Sequence, residues 1–263
     1  MKHPFSKIVF ITGATSGIGF ATAKIFAKNG YQLILCGRRK ERLEDVKNKL
    51  IKKYSVNIVS LCFDISDHNA TQKAFKSLKS EWKKIDILVN NAGLAKGFSS
   101  IHEGKIEDWD TMIDTNVRGL LYITRLVSPV MVKEGRGHII NMCSTAGHEV
   151  YPNGNVYAAT KFAVDALTKS IRLDLYKYGI RVSQVSPGHV EETEFALVRF
   201  DGDEKRAKIY EDFVPLKAKD VADTIYYIAS RPWHINIQDV LMMGTQQAGN
   251  NHIDRSGRKD KVN

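Results

Sequence analysis

The chain's 263 residues, 43% of them hydrophobic, are ample for a sizeable core, and length alone leaves one or two domains open. Lys and Arg number 39 against 29 Asp and Glu, and the resulting formal charge of +10 can signal nucleic acid or a membrane surface. Here the basic residues are interspersed with acids, as in "RRKERLEDVKNKLIKKY", so the charge reads as solvated helix faces, and neither partner is expected.

The N-terminus passes from "MKHPFSK" straight into an apolar run, without the pattern of a signal peptide, and no run approaches the length of a membrane span. A soluble, cytoplasmic protein is expected. The first strand, "KIVFITG", opens onto Thr12-Gly13-Ala14-Thr15-Ser16-Gly17-Ile18-Gly19 and then a helix. Glycines in such a turn let the backbone approach a pyrophosphate, whose charge rests on the helix N-terminus. The spacing is GxxxGxG rather than GxGxxG, and its place directly after the first strand is what favours a dinucleotide. The second strand, "YQLILCG", runs into "RRKERL". An NAD enzyme would place a carboxylate there for the ribose 2′-hydroxyl. No carboxylate occupies the turn here, and Arg38 and Arg39 suit a 2′-phosphate, so NADP is the expected cofactor.

Further strands are expected at "NIVSLCFD", "DILVNNAG", "GHIINMCS", "IRVSQVSPG" and "DVLMMG", separated by segments with apolar spacing near 3.6 such as "WDTMIDTNVRGLLYITRLVSPVMV". Near-continuous apolar strands fit a parallel sheet covered on both faces. The expected fold is α/β: a single doubly wound Rossmann domain over 1–263, with a seven-stranded parallel sheet and helices on both faces. Polar residues recur where strands end or the next helix begins: Asp64, "NNAG" (90–93), Ser144, Tyr157 and Lys161 in "YAATK", and Pro187-Gly188. That is the edge where an open α/β sheet binds its ligand. Tyr157 and Lys161 are four residues apart, on one helix face, where an ammonium can favour the phenolate. Trp109, Met112 and Ile113 share a helix face and read as core or subunit contact.

Two segments break the rhythm. Residues 189–219, long and rich in charge and aromatics, are expected to form a substrate-binding loop region, and 250–263 a polar, frayed C-terminal tail. Cys36, Cys62 and Cys143 form no CxxC pair and lie in apolar runs, so buried free thiols in a reducing compartment are expected. The eight histidines show no HxxxH spacing, and no metal site is expected.

On "TGATSGIG", "NNAG", Asn116 in "DTNVRG", Ser144, "YAATK" and "SPG", the chain resembles the short-chain dehydrogenases/reductases from residue 7 to about 249. The resemblance implies a catalytic tetrad of Asn116, Ser144, Tyr157 and Lys161. Tyr157 would exchange a proton with the substrate oxygen, Ser144 would hydrogen-bond that oxygen, Lys161 would hold the nicotinamide ribose, and Asn116 would hold a water leading to solvent. It also implies adenine contact at Asp64 and Ile65, an adenosine ribose bordered by Asn90 and Gly93, and further cofactor contacts at Asn91, Ala92, Pro187, Gly188, Val190 and Thr193. A homotetramer is implied as well. Within the family the stretches "EDWDTMIDTNVRG", "GNVYAATK" and "VEETEFALVRF" are similar to NADP-dependent 3-hydroxy acid dehydrogenases. In the commoner family pattern a threonine stands four residues after the "PG" glycine. Here Glu192 takes that place and Thr193 follows.

A short 3-hydroxy acid in a largely apolar pocket needs a cationic partner. Arg199 in "ALVRFDG" is the first candidate, against a bland alternative in which it pairs on the surface with Asp201 or Glu194. Lys96 is the next, and Thr145 is a second substrate candidate. Two other readings are a broad carbonyl reductase, separable only by substrate profiling, and a non-catalytic NADP-binding sensor, which the complete tetrad argues against.

Overall fold

The computed structural model describes residues 7–258. Seven parallel strands form the main sheet, in the order β3-β2-β1-β4-β5-β6-β9. They are β1 (Ile8–Ile11), β2 (Gln32–Gly37), β3 (Ile58–Cys62), β4 (Ile87–Asn90), β5 (Gly137–Met142), β6 (Ile180–Pro187) and β9 (Asp239–Met242). All seven expected strands are present, and the fold is the doubly wound one expected.

Alternation along the strands builds two cores. On β1, Val9 and Ile11 face one side of the sheet, while Ile8 and Phe10 face the other. The first core packs on α1 (Gly17–Lys28), α2 (Lys40–Tyr54) and α9 (Ala218–Ser230), through Phe26, Leu43 and Ile225. The second packs on α3 (His68–Lys76) and α5 (Leu120–Glu134), through Phe75, Ile123 and Val127. α6 (Asn155–Leu175) joins the second core through Ile171 and Leu175.

Four features depart from the sequence reading. The helical run over 106–134 is not uniform: α4 (Ile106–Ile113) passes through a wide π-turn, Asp114–Gly119, into α5. Met112 is buried in this run, whereas Ile113 is exposed. Within the expected loop region, β7 (Val190–Glu191) pairs in parallel with β8 (Leu216–Lys217), closing the base of a segment that contains α7 (Phe195–Arg199) and α8 (Glu204–Ala207). Residues 250–258, expected to fray, are instead held by side chains: Asn250 by Glu149 and Thr145, and Arg255 by Asp212. The rest of the expected tail, 259–263, lies outside the described residues. Cys36 and Cys143 are buried free thiols, but Cys62, at the end of β3, is exposed.

Candidate active site

The carboxyl ends of the strands open into a cavity of about 780 Å³. The turn after β1 forms one wall. Gly13 and Gly17 have φ of +65° and +51°, the left-handed region that favours glycine. A methyl group at Gly19 would lie 2.2 Å from the Gly13 carbonyl oxygen and 2.5 Å from Asn91 Nδ2, so only glycine lets α1 start this close to the end of β4. The Thr12 hydroxyl accepts from the Asn91 and Ala92 amides at 3.0 and 2.9 Å, locking the β1 and β4 turns together. Ser16, the N-cap of α1, makes no capping bond, which leaves the helix N-terminus with unspent donors beside the cavity.

All but one of the residues assigned to NADP from the sequence line this cavity: Gly13, Thr15, Ser16, Gly17, Ile18, Gly19, Arg38, Arg39, Asp64, Ile65, Asn91, Ala92, Gly93, Tyr157, Lys161, Pro187, Gly188, Val190 and Thr193. Asn90 does not. Its side chain turns into the core, donating to Thr124 and Asn141, which corrects the expectation of a ribose contact there. Arg38 pairs with Asp64 at 3.4 Å. Burial would raise the Asp64 carboxyl, but two hydrogen bonds from Ser66 and the Arg38 charge hold it below its ordinary value. Arg39 reaches Thr15 and Ser16 at 3.0 and 3.2 Å and pairs with Glu194 at 2.7 Å. Glu194 is also held by Arg42 and by the Ser16 hydroxyl. Hydrogen bonds from Arg39, Arg42 and Ser16 outweigh partial burial and bring its carboxyl down to about 2. The sequence reading missed Glu194 because its partners lie 152 or more residues away in the chain.

Ser144, Tyr157 and Lys161 meet at the far end of the cavity. Ser144 follows β5 and caps the short turn Thr145–Gly147. Tyr157 and Lys161 lie one turn apart on α6, both buried. Burial pushes the Tyr157 phenol up to about 12, opposed by a hydrogen bond with Ser144 and the charge of Arg199. The lowering expected from Lys161 is not found. The lysine Nζ lies 5.8 Å from the tyrosine ring centroid and donates to the Met142 carbonyl at 2.9 Å, while burial lowers its own pKa. Asn116 sits in the π-turn behind this cluster rather than on the cavity wall. Its amide donates to Leu94 O at 2.8 Å and Thr160 Oγ1 at 3.0 Å, and its oxygen accepts from Leu94 N at 2.9 Å. Both amide hydrogens are therefore spent on the protein.

Arg199, at the end of α7, is only 7% exposed and lines the cavity beside Tyr157. Surface pairing with Asp201 or Glu194 does not occur: Asp201 binds Lys96, which is thereby spent as an anchor, and Glu194 binds Arg39 and Arg42. Thr145 also lines the cavity and donates to Asn250. Tyr151, Phe98, Tyr210 and Asn250 complete this end and were missed from sequence. Their spread over the chain, in segments without a motif, gave no signal.

The short chain dehydrogenase family profile matches residues 7–202. The chain belongs to this family. Among short chain dehydrogenases it is 44% identical over 242 residues to the NADP-dependent 3-hydroxy acid dehydrogenase YdfG of Salmonella typhi, covering 92% of this chain and 96% of that protein. It is 43% identical over 244 residues to the serine 3-dehydrogenase of Agrobacterium fabrum, again covering 92% and 96%. The closed form of a serine dehydrogenase complexed with NADP+ superposes with a TM-score of 0.87 at 43% identity, over 92% of this chain and 96% of that one.

Proposed function

We propose that this short chain dehydrogenase interconverts small 3-hydroxy acids and their 3-oxo acids or semialdehydes with NADP, in an active site built on Asn116, Ser144, Tyr157 and Lys161. The observation that carries the reading is the meeting of Tyr157, Ser144 and Lys161 at the end of the same cavity that the glycine turn and Arg38–Arg39 line. The NADP-dependent relatives support the cofactor. So does the fit of the site itself. Gly13, Gly17 and Gly19 keep open a cradle that Cβ atoms would fill, the N-terminus of α1 offers unspent amides, and the end of β2 presents arginines with no acid among them. Gly13 to Gly19 would hold the pyrophosphate, Arg38 and Arg39 the 2′-phosphate, and Asp64 with Ile65 the adenine. Asn91, Ala92 and Gly93 would border its ribose, and Pro187, Gly188, Val190 and Thr193 the nicotinamide end. The cofactor, when bound, supplies or accepts the hydride.

The chain's residues manage the proton and the developing charge. Tyr157 gives its phenolic proton to the substrate oxygen in reduction and takes it back in oxidation. Ser144, beside Tyr157 on the cavity wall, steadies the same oxygen. Lys161, fixed by the Met142 carbonyl, places a charge one turn below the phenol. Asn116 fastens the Leu94 backbone and Thr160 behind them.

The protein is read as a single catalytic unit that works in the cytoplasm, in keeping with two buried free thiols, and assembles as a homotetramer. Ile106, Ile113, Leu121, Phe162 and Leu173 expose apolar surface on α4, α5 and α6, where copies can pair. A panel of 3-hydroxy acids and uncharged secondary alcohols, followed by NADPH absorbance, tests the function. The acids are expected to be oxidised with the higher kcat/KM, and a uniform rate across both classes would point to a broad carbonyl reductase.

A further inference from the structure

Arg199 is a buried cation with no acidic partner. It forms no ion pair with Asp or Glu among the described residues. Its guanidinium donates from Nη2 to the Tyr151 hydroxyl at 3.0 Å and from Nε to the Gly97 carbonyl at a long 3.4 Å, and no described residue accepts from Nη1. Aromatic rings surround it: the guanidinium carbon is 4.7 Å from the Phe98 centroid, 5.4 Å from Tyr151 and 5.8 Å from Tyr157. Rings stabilise a planar cation on its faces and leave its edge donors unspent. A buried charge left so is costly unless an anion completes it. The site therefore has a built, half-filled fork.

We propose that Arg199 is the specificity-determining residue that binds the substrate carboxylate, so that the enzyme selects short acids whose reacting carbon lies one methylene from the carboxyl group. The proposal rests on the function read above and names the group that sets its substrate class. Spacing supports it. The carboxylate of a 3-hydroxy acid takes the guanidinium edge in parallel hydrogen bonds, and its C3 oxygen takes the Tyr157 hydroxyl. The guanidinium carbon lies 5.8 Å from the Tyr157 ring centroid and both residues line the same end of the cavity, so the space between fork and phenol suits a short carbon bridge. A longer acid would push its reacting carbon past the phenol. The field of this cation is felt where the substrate would sit: it draws down the phenols of Tyr151, Tyr157 and Tyr210 against the rise that burial imposes. Lys96 offers no second anchor, being paired with Asp201 and absent from the cavity wall.

The test compares 3-hydroxybutanoate with its methyl ester, which keeps the carbon frame and removes the charge. Turnover is followed by NADPH absorbance, and binding to the NADP-loaded enzyme by calorimetry. Wild type is expected to bind the acid more tightly than the ester. Arg199→Gln is expected to raise KM and Kd for the acid about 10–100-fold, as for loss of a charge-assisted pair, with the ester changed little. Arg199→Lys, which keeps the charge and loses the fork, is expected to fall between. Unchanged NADP affinity shows that each variant is folded. Equal losses for acid and ester, or a wild type that binds both alike, would overturn the anchor, and the second outcome needs no variant. Acid binding that depends on Arg199 without any turnover would leave the anchor standing and sink the proposed reaction instead.

Discussion

At Tyr157 the chemistry turns on a balance of burial against charge. Burial, only partly offset by Ser144 and Arg199, leaves the phenol a reluctant acid at about 12, and Lys161 is not among the groups that pull it back. The sequence places Tyr157 and Lys161 on one helix face, and that spacing is correct. It cannot say where a four-carbon side chain delivers its ammonium, and here the Met142 carbonyl takes it. Tyr157→Phe removes the proton while keeping the ring that packs on Phe195. It is expected to lower kcat about 10²–10⁴-fold with NADP affinity unchanged. A variant that keeps near wild-type turnover would remove Tyr157 from the proposed chemistry.

At the scale of elements, what could be read from the sequence followed periodicity. Buried parallel strands appear as apolar runs such as "VFI" and "LILC", and each was found where expected. The two-residue β7–β8 pair is too short for any pattern. The π-turn at Asp114–Gly119 has the same apolar spacing as the helices it joins, so nothing in the letters separates them. Asn90 and Asn91 are adjacent and chemically alike, yet strand alternation sends one into the core and the other to the cavity. The glycine turn was legible because backbone demand leaves few choices of residue. Gly19→Ala tests that demand, since its methyl group would press on the Gly13 carbonyl and the Asn91 amide at once. NADP affinity is expected to fall at least tenfold, with a loss of stability of about 1–3 kcal/mol from the strain. Fluorescence titration and thermal melting report the two effects separately.

For the molecule as a whole, titration bounds the range of stability. Glu194 falls from an ordinary 4.5 to about 2, so its contribution is complete above pH 4.5 and is lost as pH falls towards 2. Tyr151 and Tyr157 rise from 10 to about 12, so their contribution is complete below pH 10 and is lost as pH rises towards 12. Melting temperature against pH is expected to decline on both sides, and Glu194→Gln to flatten only the acid limb. The same carboxylate has a second consequence. Glu194 occupies the guanidinium of Arg39 as a tethered anion, so a ligand bearing a 2′-phosphate has to evict a rival whose local concentration never dilutes, while one with a bare hydroxyl does not. Glu194→Gln is accordingly expected to tighten NADP about 2–10-fold and leave NAD nearly unchanged, as titration of both would register. And because Glu194 and Arg199 stand at the two ends of one five-residue helix, the nucleotide end and the acid end of the cavity share a single short element.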